Sequence, residues 1–81
     1  MPENNYCSAT VIGANIAARR RALGLPRRVL SEALGYSDRG KFVERVERLG
    51  QSVPSEYLPA IANVLRVADI REFYVKDRFL K

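Results

Sequence analysis

Residues 26–50 read PRRVLSEALGYSDRGKFVERVERLG, and this stretch decides the fold. Pro26 has no amide hydrogen to lose and suits a helix's first turn, while Gly35 accepts the left-handed backbone that ends one. Between them Leu30 and Leu34 form an i, i+4 apolar pair with Val29 beside it, the mark of a short helix. Beyond the glycine, Phe42, Val43, Val46 and Leu49 recur at i, i+1, i+4 and i+7 and predict one buried face of a longer helix. The same wheel turns Lys41, Glu44, Arg45 and Arg48 outward. This helix is expected to begin near Gly40, with Ser37 or Asp38 as its cap and Arg39 splayed at its amino end. Gly50, Ser52 and Pro54 then mark a loop.

Helical signals continue on both sides. Thr10 or Ser8 can cap a first helix running to about Ala22, with Ile12, Ile16 and Leu23 on one stripe and Gly24 as its stop. Residues 1–9 read as a flexible arm. Ser55 can cap a fourth helix in which Leu58, Ile61, Ala62 and Leu65 keep the helical period, with Pro59 near its first turn. Asp69 and Glu72 have capping-box spacing for a fifth helix over about 69–80, carrying Ile70, Phe73, Tyr74 and Leu80. No strand-like alternation competes. The expectation is an all-α, compact five-helix bundle, one domain over residues 10–81.

Composition narrows the function. The chain has 81 residues, no histidine and one cysteine, Cys7. Histidine is the usual general base near neutral pH and the commonest zinc ligand, and one cysteine makes neither a disulfide nor a cysteine cluster within the chain. We therefore expect no enzyme, no metal and no cofactor. No segment has the ~20 apolar residues of a membrane span, and the amino terminus lacks a basic-then-apolar signal pattern, so a cytoplasmic, nucleoid-associated protein is expected.

Charge points to a partner. Lys and Arg number 14 against 9 Asp and Glu, a net charge of +5. Nine of the cations (Arg19, Arg20, Arg21, Arg27, Arg28, Arg39, Lys41, Arg45, Arg48) and four of the anions (Glu32, Asp38, Glu44, Glu47) lie between residues 19 and 48. The entire excess therefore sits in that central stretch, and the remainder is neutral. Most of the cations are arginine, whose planar fork matches phosphate and guanine. Glycine and proline break the basic run into short elements, unlike the continuous amphipathic helix of a membrane binder. Nucleic acid is the favoured polyanion. RNA is disfavoured, because exposed stacking aromatics are missing from the basic segment. Gly35 to Lys41 has the glycine and lysine spacing of a P-loop, but Phe42 stands where that loop needs Ser or Thr for magnesium.

A short helix, a glycine-containing turn and a helix with a basic outer face form a helix-turn-helix signal. The ordered set Gly13-x-x-Ile16, Arg20, Gly24-Leu25, Leu30, Leu34-Gly35-Tyr36-Ser37, Val43, Arg45-Val46-Glu47-Arg48 and Leu58-x-x-Ile61-Ala62-x-x-Leu65-x-Val67 resembles the Cro/phage-repressor (XRE-type) helix-turn-helix family over residues 12 to 74. The resemblance implies a lambda-repressor-like fold and a sequence-specific transcriptional regulator. Such a protein binds double-stranded DNA as a homodimer on a two-fold-symmetric operator, with helix three, about residues 40–49, in the major groove. It also implies an internal ion pair between Arg20 and Glu47. The chain departs from the pattern at Pro26 (usually a capping Ser or Thr), Arg27 (usually a phosphate-contacting Gln), Leu49 and Arg66 (usually Gly), and by two extra residues between Ser37 and Val43.

On this reading Arg39, Lys41, Glu44 and Arg45 are the base-reading candidates, and Arg27, Arg28, Ser37 and Arg48 the phosphate candidates. Arg19 and Arg21 are assigned only to solubilising helix one. Phe73, Tyr74, Phe79 and Leu80 are the candidate dimer contacts, because the last ten residues carry more aromatic surface than a small bundle need bury. RNA polymerase or a toxin-type protein are the further partners considered. The alternative is a helical protein–protein interaction module, an adaptor or antitoxin that keeps the fold without binding DNA.

Overall fold

The structure is a computed structural model and describes residues 8–79; Cys7 and Leu80 lie outside them. Four α-helices and two short 3-10 helices form an all-α bundle, and no strand occurs among the described residues. Helix α1 spans Ser8–Ala22, so residues 8 and 9 belong to the helix rather than to the expected arm. It ends as its glycine requires: Gly24 takes φ +70° and the Leu25 amide reaches back to the Arg20 carbonyl. Helix α2 spans Arg27–Ala33 and is framed by Pro26 and by Gly35 at φ +92°.

Helix α3 spans Lys41–Leu49 and α4 Leu58–Leu65, the latter entered through a 3-10 turn at Ser55–Tyr57. That turn replaces the predicted Ser55 cap, since no side chain caps either element. The core gathers Ile12 and Ile16 of α1, Leu30 of α2, Phe42, Val43 and Val46 of α3, and Leu58, Ile61, Ala62 and Leu65 of α4. Burial at about 25 cal/mol per Å² of apolar surface is the main force holding the bundle together. Helices α1 and α3 cross with little space at Gly13, where any Cβ would collide with the Val46 carbonyl oxygen.

Leu49 departs from its predicted burial. It is 76 % exposed although it shares the helical stripe of Phe42 and Val46. The crossing point lies at Gly13 and Val46, and the end of α3 reaches only the first turns of α1, with Gly50 beside Thr10. Periodicity marks a face, whereas burial also needs a partner along the whole length of that face.

The predicted fifth helix over 69–80 does not form. The chain makes a 3-10 helix at Ile70–Tyr74, extends at Val75, and then turns through Asp77 at φ +60°. The expected cap does form: Asp69 Oδ1 accepts from the Arg71 amide at 2.9 Å. Glu72 does not close the capping box and instead pairs with Arg78 at 3.1 Å. The helix is stopped by a side chain from α1. Asn15, fully buried, donates through Nδ2 to the carbonyls of Phe73 and Val75, at 2.8 Å each. Those are oxygens that a continuing helix would give to amides four residues on.

Candidate nucleic-acid interface

The basic segment is held rigidly from beneath. Glu47 of α3, only 1 % exposed, accepts from Arg20 of α1 through two contacts, Nε at 2.8 Å and Nη2 at 3.0 Å. Arg20 Nη1 also donates to the Leu25 carbonyl at 2.8 Å. One guanidinium thus locks α1, the turn after it and the carboxyl end of α3. Both expected partners of the internal pair are brought together here. Planar two-point pairing fixes orientation as well as distance, which a lysine could not do.

Arg27 joins the same carboxylate, its Nε donating to Glu47 Oε1 at 2.8 Å, with 30 % of its side chain exposed. It is therefore not the free surface cation that its place in the sequence implies. Arg28, largely exposed, stands 3.7 Å from Glu32 in an i, i+4 pair. Arg48 is paired with Glu44 at 3.0 Å, also at i, i+4. Exposed pairs of this kind stabilise a helix by about 0.3–0.5 kcal/mol and are readily exchanged for another partner.

The turn into α3 is shaped by Asp38. Its Oδ1 accepts from the Gly40 amide at 3.0 Å and its Oδ2 from the Phe42 amide at 2.9 Å. Burial pushes this carboxyl up, but the Phe42 and Gly40 amides outweigh it and hold the group below its ordinary value. The cap consumes the amides that a phosphate-binding loop would need. Arg39 and Gly40 both take left-handed φ, +60° and +88°. Glycine is required at position 40, because a Cβ would stand 2.8 Å from the Cβ of Arg27 and 3.0 Å from the Arg28 amide nitrogen.

This tight seat of the α3 start against the α2 start projects Arg39 outward. Arg39, Lys41 and Ser37 are exposed, with no ion-pair partner for either cation among the described residues. Arg45 is exposed and its Nε donates to Gln51 at 3.1 Å, a neutral partner, so that no carboxylate among the described residues compensates its charge. Arg39, Lys41 and Arg45 are therefore three uncompensated cations on the turn into α3 and its outer face.

Beneath them is an aromatic cluster that sequence reasoning misses. Tyr36 stacks on Phe42 with centroids 4.8 Å apart, and its hydroxyl lies 2.9 Å from that of Tyr57. The hydrogen bond to Tyr57, with burial second, raises the Tyr36 hydroxyl above its usual value. Nothing local announces this cluster, since Tyr57 lies 21 residues from Tyr36.

The candidate dimer contacts divide. Phe73 is fully buried in the core and cannot touch a second copy, because a ring in a packed interior has no surface to offer. Phe79 is half-buried, packs against the core 6.1 Å from Phe73, and has the guanidinium groups of Arg19 and Arg78 over its ring, at 5.9 and 5.5 Å from the centroid. Tyr74 remains outward at 47 % exposure, beside Val75 at 52 %.

Arg19 is also reassigned. Its Nε donates to the Leu65 carbonyl at 2.9 Å, at the end of α4 where Arg66 turns left-handed at φ +58°. It ties helix ends together rather than merely keeping α1 in water. No family model, no curated protein and no solved structure matches this chain.

Proposed function

We propose that the protein is a sequence-specific double-stranded DNA-binding transcriptional regulator that acts as a homodimer on a two-fold-symmetric operator, with α3 in the major groove. One observation carries this reading: Lys41 and Arg45 on the outer side of α3, and Arg39 on the turn leading into it, have no carboxylate partner among the described residues, while the opposite side of the helix is locked into the core. A cationic face on a rigid helix is suited to base edges, where arginine forks onto guanine, and to flanking phosphates. The resemblance to the Cro/phage-repressor family supports the same assignment. Of the candidate dimer contacts Tyr74 is exposed and Phe79 half-buried, and exposed Val75 beside Tyr74 extends the surface available on this reading, with the cytoplasm as its setting.

A second reading has its own observation. Arg27, Arg28 and Arg48 are each already paired with a carboxylate of the chain, which suits a helical module that binds an acidic protein instead of DNA. Duplex binding as a function of salt separates the two. A DNA reader loses affinity along a log–log line whose slope grows by ~0.9 per phosphate contacted. Selection from a random duplex pool should then yield a two-fold-symmetric sequence. No detectable duplex binding at low salt would falsify the regulator reading and leave the protein–protein module.

A further inference from the structure

We propose that Glu47 is a positioning residue for phosphate contact, holding the Arg27 guanidinium by its Nε so that its remaining nitrogens form a preset fork for one DNA phosphodiester. The inference rests on the DNA-binding reading and deepens it. Glu47 is almost wholly buried and serves two guanidinium groups, those of Arg20 and Arg27. One carboxylate for two arginines leaves the cluster one positive charge in excess. The other nearby carboxylates are occupied: Asp38 caps α3 and Glu32 faces Arg28.

Arg27 is the member of the cluster with surface to offer, at 30 % exposure against 11 % for Arg20. Arginine carries five N–H donors, and the Nε contact to Glu47 commits one of them. The four on the two Nη nitrogens are the donors that bind phosphate in a fork. Position matches this use. Arg27 Cβ packs against Gly40, directly beside the exposed Arg39 and Lys41. A guanidinium held at one edge also has less rotamer freedom to lose on binding than a free surface arginine.

The test measures duplex affinity against salt for the wild type, Arg27→Ala, Glu47→Gln and the double variant, each checked for folding by thermal melting. Arg27→Ala should lower the magnitude of the salt slope by ~0.9 on specific and random duplex alike. Glu47→Gln makes the protein more positive, so general electrostatics favours tighter binding; the positioning role instead requires severalfold weaker binding. In the Arg27→Ala background, the loss caused by Glu47→Gln should shrink, because the group it positions is gone. An unchanged slope in folded Arg27→Ala overturns the proposal, even if Glu47→Gln does not fold. Fully multiplicative effects of the two substitutions overturn it as well. A wild type that binds no duplex removes the DNA-binding reading itself, whereas wild-type binding with an unaltered Arg27→Ala slope removes only this inference.

Discussion

Asn15 donates its side-chain amide to the Phe73 carbonyl at 2.8 Å, across 58 residues of sequence, and both side chains are fully buried. This bond joins the middle of α1 to the segment that would otherwise continue as a helix. With the second bond to Val75, it decides both where the helical turn stops and that the Phe73 ring points into the core.

Replacing Asn15 with leucine should therefore be strongly destabilising despite the gain in apolar volume. Two carbonyl oxygens lose their donor, and an unsatisfied buried group costs about 1–3 kcal/mol. In a domain of this size each kcal/mol lowers Tm by roughly 4–8 °C. Hydrogen exchange should show the loss first in residues 70–79. Wild-type melting and protection in Asn15→Leu would show that the two bonds contribute nothing.

Acid should weaken the fold through two carboxylates. Hydrogen bonds from the Arg71 guanidinium and amide hold Asp69 down at about 2, and Asp38 is also lowered, the Phe42 and Gly40 amides outweighing the effect of burial. Both groups ordinarily titrate near 3.8. A carboxylate lowered in the folded state contributes stability that is fully present above its unfolded value and is lost as pH falls through its folded value. Melting temperature should thus decline as pH drops from about 4 towards 2. Asp38→Asn and Asp69→Asn should each flatten that decline while starting lower at neutral pH. Identical pH profiles for wild type and variants would remove both groups from the acid response.

Arg39 holds a left-handed backbone that costs an ordinary residue about 1–2 kcal/mol and that asparagine tolerates better. Arg39→Asn should leave Tm equal to or higher than wild type. On the DNA-binding reading, the same variant should lose ~1–3 kcal/mol of discrimination at one base pair. Competition between specific and single-mismatch duplexes checks the second effect, and unchanged discrimination would exclude Arg39 as a base reader.

A homodimer contact through the carboxyl-terminal segment draws on exposed Tyr74 and Val75 and not on buried Phe73. Tyr74→Glu should leave the melting temperature within a few degrees, since surface substitutions usually fall within about 0.5 kcal/mol. Its mass by light scattering should fall to that of one chain. Deleting residues 72 to 81, by contrast, withdraws Phe73 from the core and should unfold the domain. A dimer undisturbed by Tyr74→Glu would place the contact elsewhere.

Local chemistry is written in consecutive residues and can be read from them. Pro26, Gly24, Gly35 and Gly50 bound the helices they are expected to bound, and Leu58, Ile61, Ala62 and Leu65 are all buried. Asp38 caps α3, one of the two residues expected to do so, and Lys41, Arg45 and Arg48 of α3 are exposed. These features depend on backbone torsion and side-chain spacing within a few residues, so the sequence by itself determines them.

Whatever depends on a distant partner is decided by tertiary structure. Leu49 has the right period but no helix opposite it, and the capping signal at Asp69 opens a helical turn that Asn15 then ends. Arg27 has the sequence context of a free cation, yet Glu47, 20 residues away, holds it. Arg19 and Phe73 take unexpected roles for the same reason. A helical period states which residues share a face, and only the packed chain states what lies against that face. The same distinction bears on the +5 charge: its place in the sequence marks a basic segment, and packing pairs Arg27, Arg28 and Arg48 with carboxylates while Arg39, Lys41 and Arg45 have none among the described residues.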